Sequence, residues 1–273
     1  MESCSSRKTV VIKLGGSVLV DANSYGQGAR FIARRLHSSA EERFLVVVSA
    51  QEGFTNELEE LARGITKHPN PRTLDLLWST GELRSVALLT LHLEEMGVPA
   101  VGLNVHESGL RFNRSHVGRT AVECLSSQLR RAFDDHAVVI VPGFFATLAN
   151  GTLVSLGRGG SDLSAVLLAD ALEADQCELV KDVSGYFTED PRVRRAAEHL
   201  PWLSYQQALE MASAGCELVQ VEAIEAARQA GLRLLVRSLD EMAPVSVVSE
   251  SVRTGAAPDS LRTANHCEAH PED

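Results

Sequence analysis

The run Val10-Val11-Ile12-Lys13-Leu14-Gly15-Gly16-Ser17 has the composition of a buried β-strand that ends on a cation and two glycines. β-branched apolar residues favour a pleated, covered position, and their unbroken succession suits a strand with both faces buried. Lys13 therefore stands at the strand's carboxyl end, beside backbone that can approach a ligand closely. A second stretch has the same character. Leu156-Gly157-Arg158-Gly159-Gly160-Ser161-Asp162 places a guanidinium, a flexible backbone and a carboxylate at the mouth of an apolar helix pattern over 163–172. Glycine lets N–H groups face a ligand, and the helix N-terminus adds about half a positive charge, so the turn suits a phosphate or a carboxylate. Alone, such a turn is equally structural punctuation, with Ser161 or Asp162 an N-cap. A pair of them, in a chain with neither a Walker A sequence nor a G-x-G-x-x-G after a strand, points away from P-loop and dinucleotide-binding folds.

Apolar, β-branched runs recur at residues 9–13, 44–49, 98–103, 137–141, 177–180 and 232–236. Between most of them lie patterns with apolar residues three and four apart, over 56–66, 82–96, 121–133, 162–172 and 217–230. Strand and helix in alternation predict an α/β chain, a three-layer αβα sandwich with a mostly parallel central sheet covered on both faces. One stretch departs from that rhythm: Asn150-Gly151 between two short apolar arms predicts a β-hairpin over 144–156. Two lobes meeting near residue 155 are expected within one domain over 8–249. Residues 250–273 are polar and lack apolar periodicity, which predicts a mobile tail in which His266, Cys267 and His270 form no metal site. In open parallel sheets ligands lie beyond the carboxyl ends of the strands. Lys13, Ser49, Asn104, Pro142-Gly143 and Lys181-Asp182 are accordingly expected to border one cleft.

The 273 residues, 44% of them hydrophobic, suffice for a large core. A net charge of −10 and a pI near 5.4 argue against nucleic-acid binding, which needs clustered Lys and Arg, so an anionic substrate must be held by local charge. Cys4, Cys124, Cys177, Cys216 and Cys267 are an odd set with no C-x-x-C pair. They suit reduced thiols in a cytoplasmic protein better than a disulfide framework or structural zinc. The polar start lacks the apolar region of a signal peptide, and no run is long enough for a membrane span.

Several ordered segments together resemble the amino-acid kinases, and within them the catalytic domain of aspartate kinase. They are Lys13-Leu14-Gly15-Gly16-Ser17, Val48-Ser49-Ala50 with Gly53-Phe54-Thr55-Asn56, and Ser79-Thr80-Gly81-Glu82. Then come Pro142-Gly143-Phe144, the 157–162 turn, Asp182-Val183-Ser184-Gly185 with Thr188-Glu189-Asp190-Pro191-Arg192, and Leu203-Ser204-Tyr205 before Ala208. The resemblance covers residues 8–238. The Lys-Gly-Gly start and the Asp-Val-x-Gly segment are shared with related carboxylate and phosphate kinases, whereas Gly81-Glu82, read as a helix start, and the 157–162 turn resemble aspartate kinase specifically.

That resemblance implies transfer of the γ-phosphoryl group of ATP to the side-chain carboxylate of L-aspartate, with Mg2+ held through the ATP phosphates. The product would be 4-phospho-L-aspartate, for lysine, threonine and methionine synthesis or a specialised product. It implies an amino-acid-binding lobe over about 8–155, a nucleotide-binding lobe over about 156–249 and a homodimer. By resemblance, Lys13 contacts the transferring phosphoryl group, Gly15, Gly16 and Ser17 lie beside it, and Asp162 holds the lysine. Arg158 receives the substrate α-carboxylate and Glu82 the α-ammonium, Ser49, Thr55 and Ser161 hydrogen-bond the rest, and Phe144 forms part of the wall. The nucleotide lies across Lys181, Asp182, Phe187 and Arg192. Such chemistry brings two anions together, so alignment and charge neutralisation carry it and no protein nucleophile is required. Taken singly, Lys13 also reads as a solvated strand end, Glu82 as a first-turn acid and Asp162 as a cap.

The pattern departs from the family at Gly215-Cys216-Glu217-Leu218-Val219-Gln220-Val221, where members usually carry Gly-Ala-Lys-Val-Leu-His-Pro. A carboxylate about 5 Å from one phosphate charge, at an effective dielectric near 20, repels it by roughly 3 kcal/mol. Either Lys181 supplies the missing charge or Glu217 turns to solvent. Phe187 stands where tyrosine is frequent. Many aspartate kinases also continue into paired ACT regulatory domains, so control of this chain is expected to be absent or to reside on a separate regulatory chain. The competing expectation is a catalytically weakened homologue that binds an amino acid as a regulatory protein, or a kinase for another acidic amino acid. A Ser-His-Asp hydrolase lacks its G-x-S-x-G elbow here.

Overall fold

The computed structural model describes residues 7–39, 41–113, 122–157 and 159–251. Arg158 and the expected tail beyond residue 251, with His266, Cys267 and His270, lie outside the described residues. The chain begins β1 (Lys8–Leu14), α1 (Ala22–Ser38), β2 (Glu42–Val48), α2 (Phe54–Ile65), α3 (Pro71–Glu95) and β3 (Ala100–Gly102). There follow β4 (Leu110–Phe112), β5 (Val122–Cys124), α4 (Ser127–Asp135), β6 (Val138–Pro142), β7 (Phe145–Thr147) and β8 (Leu153–Ser155). Next are α5 (Gly160–Ala171), β9 (Gln176–Val180), β10 (Tyr186–Phe187), β11 (His199–Leu200) and β12 (Trp202–Leu203). The last are α6 (Tyr205–Ser213), α7 (Val221–Ala230), β13 (Arg233–Arg237) and β14 (Ser246–Val248).

The main sheet has the order β12-β14-β13-β9-β1-β2-β6-β3. Its strands are parallel from β13 to β3, and only β14 meets its neighbour β13 in the antiparallel sense. Because successive side chains of a strand face opposite ways, Val11, Leu45 and Val139 join one apolar layer while Val10, Ile12 and Val46 join the other. The first layer is closed by α4, α5, α6 and α7, and the second by α1 and α3. This is the three-layer αβα sandwich expected from the alternation. The hairpin about Asn150-Gly151 is formed by β7 and β8, with Phe145 opposite Ser155 and Gly151 at a φ of 78°. It belongs to a small sheet of order β5-β4-β7-β8. No helix among the described residues is long and apolar enough to cross a membrane. Cys124, Cys177 and Cys216 are free thiols.

Four expectations are corrected. The helix expected over 82–96 starts at Pro71, because Asn70 Oδ1 accepts the Arg72 N–H at 3.0 Å and a proline at the first helical position loses no hydrogen bond. Gly81-Glu82 is therefore mid-helix rather than a helix start. It stays glycine for space: a Cβ at Gly81 would lie 3.0 Å from the Ala50 Cβ and 3.1 Å from the Phe54 ring. The pattern over 121–133 splits, since Val122 and Cys124 pair with Phe112 and Leu110 in the small sheet before α4 begins; Ala121 lies outside the described residues. The helix expected from residue 217 starts at Val221, leaving 215–220 as a turn. Asn104 lines neither of the cavities described below, because its Oδ1 accepts the N–H groups of His106 and Glu107 and turns the chain locally.

Candidate functional site

Parallel register brings Leu14, Val48, Pro142 and Val180 to the same edge of the sheet, so the residues around these ends converge. α5 arrives at that edge with its N-terminus. Asp162, in its first turn, lies between two lysines: Oδ1 is 2.8 Å from Lys13 Nζ and Oδ2 is 2.7 Å from Lys181 Nζ. The side chains are only 8%, 11% and 4% exposed for Lys13, Lys181 and Asp162, so two ammonium groups and one carboxylate leave one uncompensated positive charge out of solvent. Burial alone would raise the Asp162 carboxyl, yet Lys13 and Lys181 outweigh it and hold it down at about 2. The Lys181 ammonium is lowered, first by burial and then by the facing Lys13 charge. A buried site with an unbalanced cation is stabilised by an incoming anion.

A cavity of about 330 Å³ opens in front of this triad. Its walls carry Lys13, Ser49, Ala50, Thr55, Glu82, Phe144, Gly159, Gly160, Ser161, Asp162, Lys181, Glu217 and Gln220. Two helices present N-termini without a side-chain cap, α2 behind Gly53 and α5 behind Gly159, and both contribute first-turn residues to the wall. The helix dipoles that end there add further positive potential. Opposite in charge is Glu82, 3% exposed and projected from the middle of α3. Its Oε1 accepts the Ala50 N–H at 3.3 Å, while Oε2 is buried without a hydrogen-bond partner. Burial pushes this carboxyl up to about 7, with only backbone N–H donors opposing the shift. Phe144 closes one wall in the left-handed region, at a φ of 69°, a conformation that costs a non-glycine residue energy. It is held there by its N–H on Ser164 Oγ at 3.1 Å and by edge-on packing against Phe145. Gly159, at a φ of 72°, has no room for a Cβ, which would lie 1.9 Å from Gln220 Cγ.

A second cavity, of about 890 Å³, adjoins the first. It is lined by Ser17, Glu52, Lys181, Asp182, Val183, Gly185, Phe187, the 188–192 segment, Met211 and residues 214–218. Lys181 and Glu217 belong to both linings, which makes them the waist between the two spaces. Arg192 is braced by Asp182 at 3.0 Å and Asp190 at 3.1 Å, and Phe187 meets the His199 ring edge-on at 5.3 Å. Glu52, Asp182, Glu189, Asp190 and Glu217 outnumber Lys181 and Arg192 around this space, so a polyphosphate entering it needs an accompanying cation.

The structure thus places Lys13, Ser49, Thr55, Glu82, Phe144, Ser161 and Asp162 around the smaller cavity. Ser17, Lys181, Asp182, Phe187 and Arg192 lie around the larger one. Arg158 lies outside the described residues. Gly15 and Gly16 flank Lys13, with the Gly15 N–H directed at the Val180 carbonyl at 3.4 Å and Gly16 close against the Ala50 carbonyl. Sequence reasoning missed two things. One is the Lys181–Asp162 ion pair, which joins positions nineteen apart on separate elements. The other is Gln220, whose side chain leaves α7 uncapped and fills the space beside Gly159; no signal in the sequence marked it, since the helix was expected to begin at residue 217.

Comparisons with known proteins bear on the same residues. A sequence model of the amino acid kinase family matches residues 8–238. The aspartokinase of Geobacillus stearothermophilus is 40% identical over 208 residues, which cover 76% of this chain and 51% of that protein. Among solved structures, the aspartate kinase of Synechocystis superposes with a TM-score of 0.76 at 33% identity, covering 89% of this chain and 40% of that one. E. coli aspartokinase III in complex with aspartate and ADP gives a TM-score of 0.76 at 28% identity, over 90% of this chain and 66% of that one. The chain spans about half the length of the first of these relatives.

Proposed function

The chain belongs to the amino acid kinase family, and on that premise we propose that it transfers the γ-phosphoryl group of ATP to the side-chain carboxylate of L-aspartate, giving 4-phospho-L-aspartate. The observation that carries this reading is Glu82: a buried carboxylate with one unpartnered oxygen shares a small cavity with a triad that carries an excess positive charge. A ligand that satisfies both must bear an ammonium group at one end and an anion at the other, as an acidic amino acid does. E. coli aspartokinase III, similar in fold and 28% identical, was solved with aspartate and ADP, which supports the same pair of ligands here.

In this reading residues 8–155 form the amino-acid lobe and 156–249 the nucleotide lobe, the latter supplying β9, β12, β13 and β14 on one side of β1. Glu82 accepts the α-ammonium group, Ser49, Thr55 and Ser161 hydrogen-bond the substrate, Arg158 takes the α-carboxylate and Phe144 limits the wall. The nucleotide occupies the larger cavity, with Phe187 against the base or sugar and Ser17, Asp182 and Arg192 along its length. Lys13, kept in place by Asp162, faces the transferring group, with Gly15 and Gly16 beside it. A positive charge at about 4 Å from a phosphoryl oxygen, at an effective dielectric near 20, is worth about 4 kcal/mol, so placement of the triad decides the rate. The acceptor is already an anion, and no side chain has to remove a proton.

Mg2+ fits the larger cavity, whose surplus carboxylates disfavour a bare triphosphate, and no group of three His, Cys, Asp or Glu among the described residues is placed to hold a metal by itself. When bound through the ATP phosphates it neutralises charge on the transferring group. The proposal includes a cytoplasmic homodimer, for which Leu61, Ile65 and Leu76, exposed on α2 and α3, offer apolar surface. The test is hydroxylamine trapping of an acyl phosphate with Mg-ATP across a panel of acidic amino acids. ATP-dependent hydroxamate with L-aspartate is expected, and a folded sample that forms none with any acidic amino acid would refute the reading.

A further inference from the structure

Among the described residues, Lys181 holds a position no other cation shares. It lines both cavities, and so does Glu217, an exposed carboxylate on the turn between α6 and α7. Any group that passes from the larger space to the smaller one passes these two side chains. Glu217 opposes an anion there; Lys181 attracts it. Lys181 is also the better fixed, since its Nζ lies 2.7 Å from Asp162 Oδ2 while the other oxygen of the same carboxylate holds Lys13 at 2.8 Å. One carboxylate thus sets the spacing of two ammonium groups at the end of β1 and just beyond β9, strands that are neighbours in the sheet. The Lys181 backbone is anchored as well, its N–H donating to the Arg237 carbonyl at 2.8 Å.

We infer that Lys181 is a catalytic residue, the second cation on the transferring phosphoryl group, and that Asp162 sets it opposite Lys13 so that position 217 need carry no positive charge. The inference rests on the phosphotransfer reading above. In the step, a carboxylate oxygen of the acceptor forms a bond to Pγ as the bond from Pγ to the bridging oxygen of ADP breaks. ADP leaves with that electron pair, and no proton moves. Negative charge is spread over the oxygens of the group in flight, which passes Lys181 at the waist and meets Lys13 on the wall of the smaller cavity, so both ammonium groups act on the transition state. The surplus positive charge of the triad is present before any ligand binds, as preorganised charge requires.

The experiment compares Lys181→Met, Lys181→Gln, Glu217→Lys and the double variant Lys181→Met/Glu217→Lys. Steady-state kinetics are read with Mg-ATP and aspartate, and calorimetry reads the affinity for a non-hydrolysable triphosphate nucleotide against that for adenosine. Circular dichroism selects folded samples, and Lys181→Gln stands in should the methionine variant fail to fold. The expected result is a kcat at least a hundredfold lower without the Lys181 charge, at nearly unchanged aspartate KM. Triphosphate affinity should fall at least tenfold with adenosine affinity unchanged. In the double variant Glu217→Lys should restore at least tenfold of what was lost, by returning a cation to the waist. A folded charge-free variant within threefold of wild-type kcat overturns the inference. So does a slow variant whose discrimination between triphosphate and adenosine is unaltered, because Lys181 would then only prop Asp162. If the unaltered protein phosphorylates no acidic amino acid, the proposed function falls, and the nucleotide arm still decides whether Lys181 faces the phosphates.

Discussion

Replacing Glu82 with glutamine should make the empty protein more stable at alkaline pH while weakening its hold on the substrate. Burial raises this carboxyl from its ordinary 4.5 to about 7, and no charged side chain is needed to explain the shift. The folded chain therefore keeps a proton that the unfolded chain gives up between those two values. Stability contributed by the protonated form is fully present below 4.5 and is lost as pH rises through 7, at a slope of about 1.4 kcal/mol per pH unit. Between pH 5 and pH 8 the loss amounts to about 2.5 kcal/mol. Urea unfolding of the ligand-free protein at a series of pH values reads it directly. The wild-type curve should fall relative to Glu82→Gln by about that amount over the interval, and the comparison of slopes is indifferent to any constant cost of burying the amide.

The same proton competes with substrate. An ammonium group needs the ionised carboxylate, of which about 1% is present two pH units below the midpoint, so the aspartate KM should rise roughly a hundredfold on going from pH 9 to pH 5. In Glu82→Gln the KM should be high and the part of its pH profile with a midpoint near 7 should vanish. Parallel pH–stability curves for the two proteins, or a glutamine variant with normal aspartate KM, would refute the reasoning. Either result would mean that Oε2 is not the vacant acceptor in the cavity.

Further outcomes follow from the triad and the anion turn. Asp162→Asn leaves two buried ammonium groups facing each other and should cost about 3–5 kcal/mol of stability by urea unfolding, with activity lost; a neutral change would contradict the ion-pair geometry. Because this carboxyl is held at about 2, its stabilising contribution is present above 3.8 and lost as pH falls through 2, so the triad should persist at pH 4. Gly159→Ala combines a left-handed φ with overlap onto Gln220, and should raise the aspartate KM at least tenfold in a folded protein. Gln220→Gly in the same chain, which removes the overlapping Cβ as well as the Cγ, should recover part of that loss, and failure to recover any would show that backbone strain alone was responsible.

The fold was legible because its signals are local. Val10 to Ile12 are apolar and β-branched in succession, and the runs ending near Val48, Val141, Val180 and Val236 are likewise apolar, so each could be read without its neighbours. Asn150-Gly151 names its own turn. Val122-Glu123-Cys124 was misread because three residues that alternate on a strand also fit one turn of a helical pattern, and the choice between them is made by Leu110 and Phe112 across the small sheet. The first turns of α3 were missed where a cap and a proline, rather than apolar spacing, mark the start. At the site, residue types could be named from ordered motifs, but not their pairing. The bond between Lys181 and Asp162 is made by the register of β9 against β1 and by where α5 begins. The vacancy at Glu82 Oε2 exists because Gly81 lets α3 press against Ala50 and Phe54, burying the carboxylate where the Ala50 N–H reaches Oε1 and no donor reaches Oε2.

The central place of β1 also bears on how the chain is made. Val11 pairs with Leu45 along one edge of the strand and with Cys177 along the other. During synthesis the first edge can close once β2 has emerged, whereas the second waits for about 130 more residues, some 6 to 26 s at about 5–20 residues per second. Over that interval an apolar strand exposes unpaired backbone to other nascent chains, the circumstance in which sheets aggregate edge to edge. Lys13 is the single charged residue between Thr9 and Leu14, and burying its ammonium against a foreign strand would be costly without the Asp162 carboxylate. Before it meets any phosphate, that lysine already serves as a gatekeeper, released from the duty only when β9 and α5 arrive with its own partner.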